Sequence, residues 1–349
     1  MERDCRIDKI RAIAIFFVVA HHCVVNDIGL QGFLLKGELL ETPTIYIFLN
    51  AIFIIGVNLF FLASGYCRII ISLKKVVSYI LTIYITFLPI QLIGFLTGWI
   101  DLNKKTILQT IDPLDYYWFL MVYLFILLFS PFYNKLVDKL EISDSALFCL
   151  IIIVVFCGYG FFIDKNLNIG SGYSFLMASA LYILGGIIKK HKDYILSKYS
   201  GKKILYIYLI TVLTNTIIIC TLNWFEINDF SWNMYSYNNP LVFVSSLSFF
   251  IFFLTTKNKW NFAEFIAKST LSVYIFHSTC WLSTIRGMGL KVVLVGINCL
   301  DWIILLLYAI FVVFLGAVYH YILKKSVFGF VETLSVVTSN FLNKKFKKL

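Results

Sequence analysis

The sequence is poor in charged residues, which make up 14% of its 349 residues, whereas a soluble domain carries about 25%. Hydrophobic residues make up 60%. They form repeated apolar runs of about 20 residues, the length that crosses a bilayer as a helix. This composition excludes a soluble globular domain. The scarcity of charge therefore predicts an all-α, polytopic integral membrane protein.

Several other features are missing from the sequence. Its eight cysteines form no C-x-x-C pair and no cluster with histidine, so we predict buried free thiols rather than a metal site or disulfides. We find no soluble domain, low-complexity linker or repeat of fixed period. The first apolar run contains two histidines and is followed by no small-x-small cleavage site, which favours a retained membrane anchor over a cleaved signal peptide.

Ten apolar segments are predicted to cross the membrane, and the eighth has a short uninterrupted apolar core that runs only from 241 to 254. Asp301 indicates that the last segment begins at Trp302, so 287–300 is interpreted as a loop or a short surface helix. The predicted spans are 10–28, 45–66, 76–99, 116–133, 146–163, 173–188, 204–224, 239–256, 269–285 and 302–323.

Lysine and arginine are distributed unevenly around these spans. With a cytoplasmic N-terminus, 24 of the 30 fall on the cytoplasmic side and 6 outside, which supports ten spans with both termini in the cytoplasm. The net charge of +11 is then a topology signal, aided by anionic membrane lipids, and we predict no nucleic-acid partner. We divide the chain into a transmembrane domain, 1–325, and a basic amphipathic cytoplasmic tail, 326–349.

The first span carries an arginine and a histidine eleven residues apart. Eleven residues turn a helix through about 1100°, three turns and about 20°, so Arg11 and His22 share one face and lie about 16 Å apart along the axis. His21 is expected to point away from that face. Ionisable residues within a membrane helix are costly to insert and are candidates for function.

These residue types suit acid–base and anion chemistry. A neutral His22 can accept a proton from a hydroxyl, and Arg11 can bind a phosphate, a carbonyl oxygen or a carboxylate. Asp8, one turn earlier, is a plausible partner for Arg11. The alternative is that Arg11 is a topology charge at a helix end and His22 a hydrogen-bonding residue between helices.

Four short motifs in order resemble the membrane-bound acyltransferase 3 family. The first, Arg6-Ile-Asp-Lys-Ile-Arg-Ala-Ile-Ala, leads to His22 and is similar to the family's arginine, ten residues, histidine signature. The others are Phe60-Phe-Leu-Ala-Ser-Gly-Tyr66, Tyr117-Trp-Phe-Leu120 and Leu271-Ser-Val-Tyr-Ile-Phe-His277. The resemblance covers about residues 6–325. Asn58 and Ser278 stand where the family often has proline.

The resemblance implies transfer of an acyl group, usually acetyl, from cytoplasmic acyl-coenzyme A to a hydroxyl of a carbohydrate. The acceptor would be a cell-surface glycan or its lipid-linked precursor. Arg11 and Arg68 fall at the predicted cytoplasmic end, where an anionic coenzyme enters, and Ser64 could donate a hydrogen bond to it. Gly65 would permit close approach of a helix or of a ligand. The alternatives are a topology charge for Arg68 and helix packing for Ser64.

Three further side chains are candidates for contact with the acceptor. Trp118 at the outer interface is either a stacking platform for a sugar or part of an aromatic belt. His277 is either an active-site partner or a structural histidine, and Asp8 is included because of its place beside Arg11. His191 and His320 are interpreted as solvated and interfacial.

We therefore expect a membrane O-acyltransferase of a bacterial plasma membrane, with acyl-coenzyme A as donor and no permanently bound cofactor. His22 is either a general base or a transient acyl carrier, and Arg11 either positions the donor or stabilises developing charge. A transporter of a glycan or small solute is the main alternative. With five prolines in the chain, the sequence shows no paired halves with interrupted helices of the kind typical of transporters. A non-catalytic membrane scaffold would leave the Arg11–His22 pattern unexplained.

Overall fold

The computed structural model describes residues 4–37, 44–163, 169–256, 258, 260–294, 301–327, 329 and 333–338. Across these residues the chain is helical and forms no β-strand, which confirms the all-α class. The first nine α-helices are α1 (Cys5–His22), α2 (Leu30–Lys36), α3 (Thr44–Phe53), α4 (Gly56–Cys67), α5 (Leu73–Leu96), α6 (Lys104–Ile111), α7 (Pro113–Tyr116), α8 (Trp118–Lys139) and α9 (Ile142–Ile152). The others are α10 (Gly160–Phe162), α11 (Phe175–Lys190), α12 (Lys192–Lys198), α13 (Gly201–Trp224), α14 (Asn228–Asn233), α15 (Pro240–Thr255), α16 (Asn261–Ser278), α17 (Cys280–Val293) and α18 (Asp301–Ser326).

Two π-helical segments and one 3₁₀ turn complete the secondary structure of the described chain. The π-helix Cys23–Ile28 continues α1, and the π-helix Ile153–Tyr159 joins α9 to α10. The 3₁₀ turn is Gly170–Gly172. Only the first π-helix adjoins one of the predicted site residues, because it begins directly after His22.

The described part of the chain contains seven helical segments that are long and apolar enough to cross a membrane. This confirms a polytopic membrane protein. The other three predicted spans are also helices, α11, α15 and α16, of 16, 16 and 18 residues. Every predicted span therefore overlaps a helix of the structure, while the count of ten crossings stays a prediction. The seven segments are Cys5–Ile28, Thr44–Cys67, Leu73–Leu96, Trp118–Lys139, Ile142–Phe162, Gly201–Trp224 and Asp301–Ser326.

The ninth predicted span is misplaced by several residues. The helix begins at Asn261 rather than at 269, and its first turns carry an exposed ion pair of 2.6 Å between Glu264 and Lys268. It ends at Ser278 because Thr279 adopts an extended backbone with ψ of 130°. A second helix, α17, follows and extends to Val293, so 287–293 is helical, one of the two predicted alternatives for 287–300. Residues 295–300 lie outside the described chain.

Two glycines hold the core helices α4 and α11 in backbone contact. A Cβ atom built on Gly65 would lie 1.8 Å from the carbonyl oxygen of Tyr182, and one built on Gly185 would lie 2.1 Å from that of Leu62. Gly65 therefore serves close helix packing, one of its two predicted roles. Ser64, its neighbour, is fixed in the wall of the interior by this contact.

The tail is described only in part. Residues 333–338 are helical, while 339–349, with the lysine cluster, lie outside the described residues, and the amphipathic tail stays a prediction. The six cysteines whose side chains are described are free thiols.

Candidate active site

The arginine and histidine of the first span lie on one face of a regular helix. Because α1 is α-helical from Cys5 to His22, Arg11 and His22 are about 16 Å apart along its axis. Arg11 lines one interior cavity and His22 lines a second. The two cavities adjoin, because four side chains line both of them: Val18, Val57, Phe119 and Tyr274.

The larger cavity, of about 230 Å³, contains Arg11 and Ser64. Tyr79 and Tyr123 add hydroxyl groups to a wall that is otherwise mainly apolar, and the Ser64 hydroxyl donates to the Tyr123 hydroxyl over 3.5 Å. The Arg11 guanidinium also lies 3.7 Å from the sulfur of Cys67, an exposed residue. A fixed positive charge therefore lines the larger cavity, on the side that the predicted topology assigns to the cytoplasm.

The smaller cavity, of about 50 Å³, is an aromatic compartment around His22. Trp118 packs edge-on against Tyr173 with ring centres 4.9 Å apart, and Tyr173 packs against Tyr237 at 4.7 Å. His21 also lines this compartment, although the sequence predicted that it points away from the His22 face. The imidazole of His21 is fixed by donating from Nδ1 to the side-chain oxygen of Asn50 at 2.6 Å.

His22 forms a direct ring-to-ring hydrogen bond with His277. Its Nδ1 lies 2.9 Å from Nε2 of His277, and Nδ1 of His277 lies 2.8 Å from the carbonyl oxygen of Val273. A carbonyl only accepts, so His277 donates from Nδ1, and its Nε2, in the neutral ring, accepts from His22. The same rule leaves Nε2 of a neutral His22 as an acceptor with a free lone pair.

This arrangement provides the groups required for general-base chemistry in a buried site. The free Nε2 of His22 can take a proton from a hydroxyl, and His277 then stabilises the resulting imidazolium by accepting from its Nδ1. The proton acceptor and the positive charge of Arg11 are too far apart to act on the same atom. Arg11 can therefore hold a distant part of a substrate whose reactive end reaches His22.

The comparisons with known proteins agree with the motifs. Residues 6–322 match the sequence model of the acyltransferase domain of this family. The chain belongs to the acyltransferase 3 family. A search of curated proteins and a search of solved structures gave no match. The protein is thus a membrane acyltransferase, and the matched region contains both cavities and the histidine pair.

Five of the seven predicted site residues lie in the walls of these two cavities or contact a residue that does. Arg11 and Ser64 share the larger cavity, Trp118 and His22 share the smaller one, and His277 bonds to His22. These contacts support the predicted grouping, while the roles of the residues stay predictions.

Arg68 and Asp8 have different surroundings. The Arg68 guanidinium forms a 2.6 Å ion pair with Asp138 and donates to the carbonyl oxygen of Asn134 at 3.0 Å. Asp8 is buried on α1 one turn before Arg11. Neither residue belongs to the described lining of the two cavities. The proposed contact of Arg68 with the coenzyme and that of Asp8 with Arg11 or the acceptor remain predictions.

Asn58, which replaces a proline common in the family, lies in the first turn of α4, where proline is tolerated. Here its amide donates to the carbonyl oxygen of Tyr237 and to the Ser246 hydroxyl, both at 3.1 Å. These bonds tie α4 to the segment that carries Tyr237 beside His22. The departure from the family pattern therefore supports the aromatic compartment.

Sequence reasoning missed two charged residues next to the histidine pair of the acyltransferase. Asp27 and Arg286 form a buried bidentate ion pair, with distances of 2.7 and 3.1 Å. The predicted topology places Arg286 among the six basic residues outside, whereas its side chain is only 5% exposed in the fold. A signal was present, since each is an ionisable residue close in sequence to one of the two histidines, but their pairing joins positions 259 residues apart.

The histidines outside the site differ from His22 in their surroundings. His191 follows α11 and hydrogen-bonds the Ser145 hydroxyl at 3.1 Å. Partial burial and the neighbouring Lys190 lower the pKa of His191. His320 on α18 bonds the hydroxyl of Ser272 at 2.8 Å. Because His191 lies outside the predicted spans, it provides a matched control for substitutions of His22.

Proposed function

We propose that this acyltransferase transfers an acyl group, with acetyl favoured, from acyl-coenzyme A to a hydroxyl of a cell-envelope carbohydrate or its lipid-linked precursor. The observation that carries the proposal is the pair of adjoining cavities along one face of α1, with Arg11 in the larger and His22 in the smaller. We propose the bacterial plasma membrane as its location, with both termini in the cytoplasm, where the donor is made.

The larger cavity is the proposed donor site. Coenzyme A is anionic, and a guanidinium binds phosphate oxygens through two parallel hydrogen bonds. A cavity of about 230 Å³ suits the narrow thioester arm, while the nucleotide stays at the cytoplasmic mouth. The distance of about 16 Å between Arg11 and His22 favours a positioning role for Arg11 over stabilisation of charge at the reacting carbonyl.

The chemical step uses the free ring nitrogen of His22. As Nε2 takes the proton of the acceptor hydroxyl, the hydroxyl oxygen forms a bond to the thioester carbonyl carbon. The carbon–sulfur bond then breaks, and the coenzyme A thiolate takes the proton from His22. In the alternative route, Nε2 of His22 carries the acyl group from the donor to the acceptor, and the same geometry serves it. Initial rates with both substrates varied separate the two routes, because the acyl carrier gives ping-pong kinetics.

The aromatic compartment is the proposed acceptor site. Trp118 and Tyr173 provide ring faces beside His22, and flat aromatic surfaces suit the apolar faces of sugar rings. Tyr173 is half exposed, so this wall is accessible from outside the bundle. An acceptor sugar at this position presents its hydroxyl to His22 on the side opposite the donor.

The test uses the purified protein in lipid nanodiscs with labelled acetyl-coenzyme A and an extract of envelope glycans. We expect wild type and His191→Gln to label a glycan, and His22→Gln to fold but lose labelling by at least about 100-fold. Arg11→Lys should raise the KM for the donor, because lysine cannot form the bidentate contact. Equal labelling by His22→Gln would refute the assignment of His22. Wild-type protein that moves solute into sealed liposomes without consuming the donor would establish a transporter.

A further inference from the structure

The buried ion pair beside the histidines has a place in the fold that the sequence did not indicate. Arg286 and Asp27 are each only 5% exposed. Arg286 uses its third hydrogen-bonding direction to donate from Nη1 to the backbone carbonyl oxygen of His277 at 2.7 Å. One guanidinium therefore binds both the segment that carries Asp27 and the last turn of the helix that carries His277.

The π-helix explains how Asp27 reaches this position. In a regular α-helix a residue five positions after His22 lies about 140° around the axis from it. Residues 23–28 are π-helical, and hydrogen bonds from i to i+5 place Asp27 roughly one turn beyond His22 on the same side. His22 can therefore contact His277 while Asp27 contacts Arg286.

The surroundings fix the ion pair from two further sides. The hydroxyl of Tyr308 on α18 donates to the carbonyl oxygen of Arg286 at 2.9 Å. At Gly287 a Cβ atom would lie 3.1 Å from a carboxylate oxygen of Asp27, so glycine permits α17 to approach the π-helix closely. Arg286 is thus held by three partners in a fixed orientation against the end of α16.

A buried ion pair is weak evidence for stability, because the cost of desolvating the two charges offsets much of their attraction. What this pair does supply is a rigid link between the two segments on which His22 and His277 lie. From this geometry we infer that Asp27 and Arg286 are positioning residues, which hold the two imidazoles in register for proton transfer from the acceptor hydroxyl. The inference rests on the proposed function, since it assigns the pair to that same reaction.

The decisive variant removes both charges together. In Asp27→Leu/Arg286→Met the pair is replaced by apolar side chains, a change that is often neutral for folding. We expect a melting temperature near that of wild type, an unchanged KM for acetyl-coenzyme A, and a kcat lower by about 100-fold, since an error of about 1 Å in a reacting geometry has that effect. Arg286→Lys keeps the charge but cannot bind both carboxylate oxygens of Asp27 while donating to the carbonyl oxygen of His277, and its kcat should fall about tenfold.

A second measurement does not depend on activity. Labelling the five histidines with ¹⁵N, with assignment by His22→Gln and His277→Gln, reports which ring nitrogens carry protons. We expect the His22–His277 hydrogen bond in wild type, its loss in the double variant, and its retention in Glu264→Gln, a control in the exposed ion pair on the same helix.

The outcomes separate this inference from the proposed function. Wild-type kcat and unchanged histidine signals in a folded double variant would overturn the positioning role and leave the proposed function intact. If wild-type protein transfers no acyl group, the proposed function fails, and the histidine signals alone decide whether the ion pair sets the imidazole geometry. Should the double variant not fold, Arg286→Lys with wild-type kcat and signals would overturn the inference in the same way.

Discussion

Replacing Gly185 by alanine tests the backbone contact between α4 and α11, which fixes one wall of the proposed donor site. The new Cβ atom would lie 2.1 Å from the carbonyl oxygen of Leu62, whereas real contacts of this kind are essentially never under 3.0 Å. The helices must therefore separate by at least about 0.9 Å. The obstacle is backbone, so no side chain can rotate out of the way.

We expect this separation to cost about 3 kcal/mol, the upper end of the usual range for overpacking. At about 2 °C for each kcal/mol, the melting temperature falls by roughly 6 °C. Because Ser64 moves with α4, the KM for the donor should also rise. Thermal unfolding in nanodiscs, followed by tryptophan fluorescence, measures the first effect, and initial rates measure the second.

Gly32→Ala is the matched control. Gly32 lies within α2, and a Cβ atom there would meet nothing within 4 Å. Alanine at that position should therefore stabilise the protein slightly, by about 0.4–1 kcal/mol. If Gly185→Ala melted at the same temperature as Gly32→Ala, the close approach of α4 and α11 would be refuted.

Three further predictions concern individual side chains. Trp118→Ala should raise the KM for the acceptor by about tenfold, equivalent to about 1.4 kcal/mol of lost stacking, and Trp118→Phe should raise it by less. An unchanged KM in Trp118→Ala would favour the alternative that Trp118 belongs to an aromatic belt at the membrane interface. Arg68→Ala and Asp138→Asn should each cost at most about 1 kcal/mol of stability, because their ion pair is partly exposed; a higher donor KM in Arg68→Ala alone would show that Arg68 contacts the coenzyme. Cys67 is exposed and its sulfur lies 3.7 Å from the Arg11 guanidinium. It should react with a membrane-impermeant maleimide from the cytoplasmic side, and more slowly when acyl-coenzyme A is present. Equal rates with and without acyl-coenzyme A would argue against the larger cavity as the donor site.

Composition and periodicity were sufficient to predict the helical membrane class and the position of every long apolar helix. They were less reliable for the first and last residues of a helix, which depend on local polar contacts and backbone geometry. The first turns of α16 carry Glu264 and Lys268, which resemble a loop by hydropathy but form an ion pair along the helix surface. The end of α16 at Thr279 is a backbone bend, and no proline or glycine in the sequence marks it.

The candidate site was predictable where it follows the period of an α-helix. Arg11 and His22 were placed on one face from their spacing, and the structure keeps them there because α1 is regular between them. The bond between His22 and His277 joins residues 255 positions apart, and hydropathy contains no information about such pairings. The motif around His277 marked the residue as a candidate without identifying the partner it contacts.

Asp27 shows where the assumption of a single helical period fails. At about 100° per residue it belongs to a different face from His22, so a regular helical period does not group Asp27 with Arg11 and His22. The chain changes to π-helical bonding directly after His22, and this change returns Asp27 to the side that meets Arg286. A π-helix is less favourable than the α-helix it interrupts and is frequent at functional sites. Under the proposed function, the irregular turn and the buried ion pair it enables have one common explanation, the fixed geometry of the two imidazoles in the proposed active site.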